Sequence, residues 1–151
     1  MTSPPPWQFR CYVSPEGVDV FKVWYESQSI DVQGKFLGRL CSLGALPPEE
    51  WKLPLFRSLH GEASGLGEIR FMADRVQQRP LGFRGPSGDV FTLLYPAKEQ
   101  SDRFIPRNAC GIALSRKAEV EKNANSRSKP CWLFVDPADD LPARIDERPE
   151  A

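Results

Sequence analysis

Near its start the chain alternates Trp7, Phe9, Cys11 and Val13 with Gln8, Arg10 and Tyr12. A period of two belongs to a strand with one buried face, so residues 7–13 are expected to form the first strand. The period then lengthens. In SPEG, Ser14 stands as an N-cap with Pro15 at N1 and Glu16 in the first turn. Val20, Phe21 and Trp24 supply an apolar stripe behind it, which predicts a helix. Asp31 is expected to cap a second helix, in which Val32, Phe36, Leu40 and Leu43 recur at helical spacing until Gly44 and Pro47 stop it.

The next stretch, EEWKLPLFRSLHGEASG, reads as irregular because Pro54 blocks a continuing helix, while Trp51, Leu53, Leu55, Phe56 and Leu59 can cover a core edge. Three strands are then expected over 66–72, 80–84 and 90–95, the last two joined by GPSGD, which has the glycine and proline chemistry of a tight hairpin. PRNACGIALSRKAEVEKN predicts a final helix with Ala109, Ile112, Ala113 and Val120 inward and Gly111 as a weak point. After it, the apolar run 131–135 (CWLFV) is expected either to add an edge strand or to dock on the body. DPADDLPARIDERPEA lacks apolar content and is expected to be a mobile tail. The division is a body over 1–125 and a C-terminal extension over 126–151.

Composition narrows the class. A chain of 151 residues suits one domain with one core, and 40% hydrophobic with 26% charged residues disfavours a disordered chain. No basic region followed by an apolar run opens the sequence, and no stretch reaches the length of a spanning helix, so a soluble, cytoplasmic protein without membrane contact is expected. Cys11, Cys41, Cys110 and Cys131 are far apart with no CxxC, and His60 is the only histidine. Reduced thiols and no metal or cofactor are expected. The net charge is zero, with +2 on the body through Asn125 and −2 beyond it. Such a balance gives no broad basic surface, so any nucleic-acid site must be local.

Two arginines stand out. Arg70 follows Glu68 on one side of the first of the three strands, and Arg84 follows Phe83 in the next. Ordering an arginine side chain costs about 2 kcal/mol of rotamer freedom, which asks for a gain. With Phe83 in the core, Arg84 faces the open side of the sheet. A curved sheet carrying Arg70, Arg84 and Lys98 would form a cationic groove whose planar donors bind phosphate oxygens in pairs. The plain alternative is that Glu68 and Arg70 pair with each other or with neighbours on the surface, a contact worth ~0–1 kcal/mol. No GxSxG, P-loop, HExxH or paired-cysteine motif is present. His60, in SLHGEASG, reads as a loop residue, although a loop histidine can serve as general acid or base.

The run from PLFRSLHGEASGLGEIRF through PLGFRGPSGDVFTLLYPAKEQSDRFIPRNACGIALSRKAEVEKN resembles the RelE/ParE toxin superfamily, in its phage-derived, HigB-like branch. The likeness rests on Leu59, Gly61, Leu66, Glu68, Ile69 and Arg70, then the aromatic-arginine pair Phe83 and Arg84. Phe91 to Leu94 follow as an apolar strand running into Lys98, and Pro106, Ala109, Ala113, Arg116 and Lys117 lie in a proline-led helix. It spans roughly residues 7–125. It implies an α+β fold, a small twisted, mainly antiparallel sheet with two N-terminal helices and a C-terminal helix. It further implies the toxin of a type II toxin-antitoxin pair, a ribosome-dependent endoribonuclease that cuts mRNA and is neutralised by a helix-turn-helix antitoxin. The site it implies has Arg70 and Arg84 on the scissile phosphate, Lys98 as a further cation, Glu68 or His60 for proton transfer, and the 2′-hydroxyl of the RNA as nucleophile. Other members of the superfamily inhibit DNA gyrase, and a third outcome is a non-catalytic binding protein that keeps the fold. Where the family carries two adjacent lysines after the last strand, this chain has Lys98 followed by Glu99.

Overall fold

The computed structural model describes residues 8–135. Its strands are β1 (Gln8–Tyr12), β2 (Phe56–Ser58), β3 (Gly67–Ile69), β4 (Phe71–Ala73), β5 (Val76–Arg84), β6 (Val90–Gln100), β7 (Arg103–Ile105) and β8 (Ser128–Pro130). Its helices are α1 (Val20–Glu26), α2 (Ile30–Gly44), α3 (Ala109–Lys122) and the single turn α4 (Ala124–Arg127). The strands make one open sheet in the order β2-β3-β5-β6-β1-β8, with β4 also on β5 and β7 also on β6. Every pairing is antiparallel except β1 with β6, and that parallel pair is possible because α1, α2 and the strands after them supply the long crossover.

The helices divide between the two faces. Phe21 of α1 and Val32, Phe36, Leu40 and Leu43 of α2 pack with Phe9, Ile69, Phe71, Phe91 and Leu93 of the sheet. On the opposite face Ala109, Ala113 and Val120 of α3 pack with Tyr12, Leu66, Leu81, Phe83 and Leu94. The stripe at 32, 36, 40 and 43 therefore does what its spacing predicts. Residues 51–59 contribute Trp51, Phe56 and Leu59 to the core, while Leu53 is exposed.

Several boundaries differ from the sequence expectation for local reasons. SPEG is a tight turn and not the start of a helix. Gly17 adopts φ +84°, its N–H bonds back to the Ser14 carbonyl, and Ser14 N–H bonds to the Val18 carbonyl, closing a bridge between Val13 and Asp19. The helix begins later, capped by Asp19, whose carboxylate accepts from Lys22 N–H at 3.0 Å. Ser29, two residues before Asp31, caps α2. Asp31 instead accepts from the backbone N–H of Asp74 at 2.7 Å, tying the helix start to the β4–β5 hairpin. That hairpin turns on Asp74 and Arg75, both at positive φ, which lets β5 begin at Val76, four residues before the expected start. The run 131–135 docks without forming the edge strand. The edge is β8, just before it, and Trp132 and Phe134 lie against Tyr25 and Phe9. Trp7 and the acidic residues from Asp136 lie outside the described residues.

Asp19 yields a stability prediction. Its Oδ2 is buried without a hydrogen-bond partner, and burial holds the carboxyl above its ordinary value of 3.8, outweighing the Lys22 N–H and the Lys129 charge. The folded chain thus keeps this proton to higher pH than the unfolded chain, so the ionised group detracts from stability as pH rises past 3.8, and not below it. Asp19→Asn keeps an N-cap acceptor and removes the penalty. Thermal unfolding should show Asp19→Asn more stable than the parent at neutral pH, with the gain vanishing in acid well below that value.

Candidate anion site at the strand break

The expected strand over 66–72 is interrupted at Arg70. Its backbone N–H donates to the Leu55 carbonyl at 2.9 Å, and its carbonyl accepts from Arg39 Nη1 of α2 at 2.6 Å. Both backbone groups are therefore satisfied outside the β5 ladder, and the chain re-enters the sheet as β4. The break brings arginines from both faces of the sheet together.

Glu68 is the centre of this region. In register it lies between Arg57 of β2 and Leu81 of β5, and Leu81 packs under α3, which places Glu68 on the α3 face. The side chain is fully buried. Its Oε2 accepts from Arg70 Nη1 and lies 3.2 Å from Arg57 Nε and 3.9 Å from Arg79 Nε. Its Oε1 has no hydrogen-bond partner. Arg79 is also buried, and its Nε donates to Glu99 Oε1 at 2.7 Å while Nη1 donates to the Gln78 carbonyl at 2.9 Å. The plain pairing of Glu68 with Arg70 is thus present, but inside the protein and as part of a network.

Beside the network, Arg39, Arg70 and Arg79 line a cavity of about 240 Å³, with Gln77, Pro54 and Met72 on its walls. Desolvation holds the Arg39 guanidinium below its usual value, and Arg39 makes no ion pair among the described residues. Four guanidiniums, those of Arg39, Arg57, Arg70 and Arg79, therefore face two carboxylates, Glu68 and Glu99. Cys110, near the start of α3, feels this region too: burial pushes its thiol up, and the Glu68 charge pushes it further. A thiol so placed stays protonated, which makes it a poor nucleophile.

The other candidate residues are elsewhere. Phe83 is buried under α3, so Arg84 points to the opposite face, opposite Phe91 in register and lining a separate cavity with Trp51, Phe56 and Ser58. Lys98 alternates with Ala97, which faces α3, and pairs in register with Gln78 and Ile105, so it too lies on the other face from Glu68. His60 is exposed, just before the 3-10 turn Gly61–Ala63, and does not line the arginine cavity. The single groove expected from Arg70, Arg84 and Lys98 does not form, because strand alternation sends Arg84 and Lys98 away from the side on which Glu68 gathers Arg57, Arg70 and Arg79. Arg39, Arg57 and Arg79 are not among the residues the sequence singles out, and Glu99, marked there only as standing in place of a second lysine, turns out to be the ion-pair partner of Arg79. Arg79 was within reach of the sequence: extending β5 back to Val76 puts Arg79 in alternation with Leu81, on the side of Glu68.

Among the described residues, no group of histidine, cysteine, aspartate and glutamate is placed to hold a metal ion. Among those residues no helix is long and apolar enough to cross a membrane. No family model, curated protein or solved structure matches the chain.

Proposed function

We propose that this protein binds RNA through the arginine cavity at the β3–β4 break and acts as the toxin of a type II toxin-antitoxin pair, cutting mRNA on the ribosome. The observation that carries the reading is the convergence of Arg39, Arg70 and Arg79 on one cavity, with more guanidiniums than carboxylates around it. A guanidinium offers donors in a planar fork that matches two phosphate oxygens, and a partly dry site strengthens each such bond. The order of strand, two helices, strands and helix, with α1 and α2 on one face, adds to the likeness with RelE/ParE toxins.

In this reading the chemistry needs little from the protein beyond placement and charge. The 2′-hydroxyl oxygen of the RNA attacks the neighbouring phosphorus and gives its proton to water. The bond to the 5′-oxygen of the next nucleotide breaks to leave a 2′,3′-cyclic phosphate, and that leaving oxygen takes a proton from water, while arginines held at the cavity take up charge building on the non-bridging oxygens. Glu68 orders Arg57, Arg70 and Arg79 from behind. The partners are ribosome-bound mRNA in the cytoplasm and a small helix-turn-helix antitoxin, with no cofactor.

A second reading is a toxin-fold protein that binds without cutting. It is favoured by Glu99 at the place of a second lysine and by a cavity with no histidine in its lining. Inducing the chain in growing cells and mapping mRNA 5′ ends separates the two. The toxin reading expects growth arrest and new ends, both relieved by Arg70→Ala. Arrest without new ends would favour the binding protein, and the absence of both would overturn the toxin reading.

A further inference from the structure

We propose that Glu99 is an internal competitor for phosphate at Arg79, so that its carboxylate sets how strongly the cavity holds an anion. This rests on the cavity being a phosphate site. A guanidinium presents two edges suited to paired bonds, Nε with Nη2 and Nη1 with Nη2. On Arg79 the Nε of the first edge is taken by Glu99 Oε1 at 2.7 Å, and the Nη1 of the second by the Gln78 carbonyl at 2.9 Å. Neither edge is complete for an incoming phosphate.

The Gln78 carbonyl belongs to a strand and cannot withdraw without breaking β5. The Glu99 carboxylate can withdraw without disturbing β6, because its bond to Arg79 is made by the side chain alone. Glu99 stands opposite Gln77 in β6, and Gln77 and Arg79 both line the cavity. When its carboxylate leaves, the Nε–Nη2 edge of Arg79 loses its hydrogen-bonded partner and the nearer of its two carboxylates, with Glu68 Oε2 remaining at 3.9 Å from Nε. A ligand must therefore displace Glu99 to be held by a paired bond. A lone phosphate gains little by that, whereas an RNA chain gains further contacts at neighbouring phosphates, so Glu99 selects against small anions.

The test measures binding of a fluorescent single-stranded RNA oligomer at low salt to the full chain and to Glu99→Gln, Glu16→Gln and Arg70→Ala. Glutamine keeps an acceptor for Arg79 and the volume of Glu99, and Glu16, in the exposed turn before α1, removes one charge away from the cavity. Glu99→Gln should tighten binding about tenfold, with Glu16→Gln changing it by less than about twofold. Inorganic phosphate should compete more effectively against RNA in Glu99→Gln than in the unmodified chain. Equal affinities for Glu99→Gln and the unmodified chain, with Arg70→Ala still weakening binding, would overturn the role of Glu99 and leave the phosphate site standing. Binding unaffected by Arg70→Ala would remove the site and this inference with it. Should Glu99→Gln unfold, the Arg79 Nε–H resonance of the unmodified chain decides: it should shift as RNA is added, and a resonance unmoved at saturation would overturn the proposal.

Discussion

Glu68→Ala is expected to cost about 3–5 kcal/mol of stability, the size typical of removing one partner from a buried ionic network. In the folded protein Arg57, Arg70 and Arg79 all approach Glu68 Oε2, and the side chain has no exposed surface. Without it, Arg79 keeps Glu99, but Arg57 and Arg70 lose their only ion-pair partner among the described residues. Three like charges then crowd one side of the sheet, and a void opens under α3. For a chain of this length the loss corresponds to a fall of roughly 10 °C in the unfolding midpoint. Glu68→Gln preserves volume and one acceptor, so it should cost less, and at low salt it should bind RNA more tightly by leaving the arginines less neutralised. A Glu68→Ala protein as stable as the parent would mean that the network carries no structural weight.

Phe36→Ala is expected to cost a similar ~3–5 kcal/mol, for an unrelated reason. Phe36 is fully buried, stacked on Phe21 with 6.1 Å between centroids, edge-on to Trp24 at 5.1 Å, and against Tyr25 and Phe71 at 6.1 Å each. Truncation removes contacts with four rings at once, in a core too closely packed to collapse around the gap. Against a total of roughly 5–15 kcal/mol for a domain, that is a large share. Phe36 also lies one helical turn before Arg39, which holds the Arg70 carbonyl. Loosening α2 should therefore weaken RNA binding as well as stability, and Phe36→Leu should do less of both. Denaturant unfolding with unchanged m-values gives the stability difference directly.

What the sequence carries plainly is the apolar periodicity of β1 and α2 and the glycine-rich turn between β5 and β6. Those signals are local, and each depends on one face meeting one core. Asp19 in place of Ser14 as the first cap was hidden because SPEG satisfies the same capping grammar, and only the left-handed Gly17 turn excludes it. The beginning of β5 was hidden because Val76, Gln77 and Gln78 read as polar loop. They become strand by pairing with Ala73, Met72 and Phe71, contacts set by a turn on two non-glycine residues at positive φ.

The site was legible in part for the same reason. Glu68 and Arg70 share a face by alternation, and the structure pairs them. The approach of Arg39 could not be read from periodicity. It depends on a helix crossing the sheet where the strand breaks, a long-range fact that no window of sequence contains.

The central claim is that phosphate is bound at the cavity lined by Arg39, Arg70 and Arg79, not at Arg84 or Lys98 on the other face. The most direct test is low-salt affinity for single-stranded RNA in Arg70→Ala and Arg84→Ala, each checked for an unchanged unfolding midpoint. The account predicts that Arg70→Ala weakens binding about tenfold or more and flattens its dependence on salt, while Arg84→Ala binds like the parent. Loss of binding in Arg84→Ala with Arg70→Ala unaffected would contradict it.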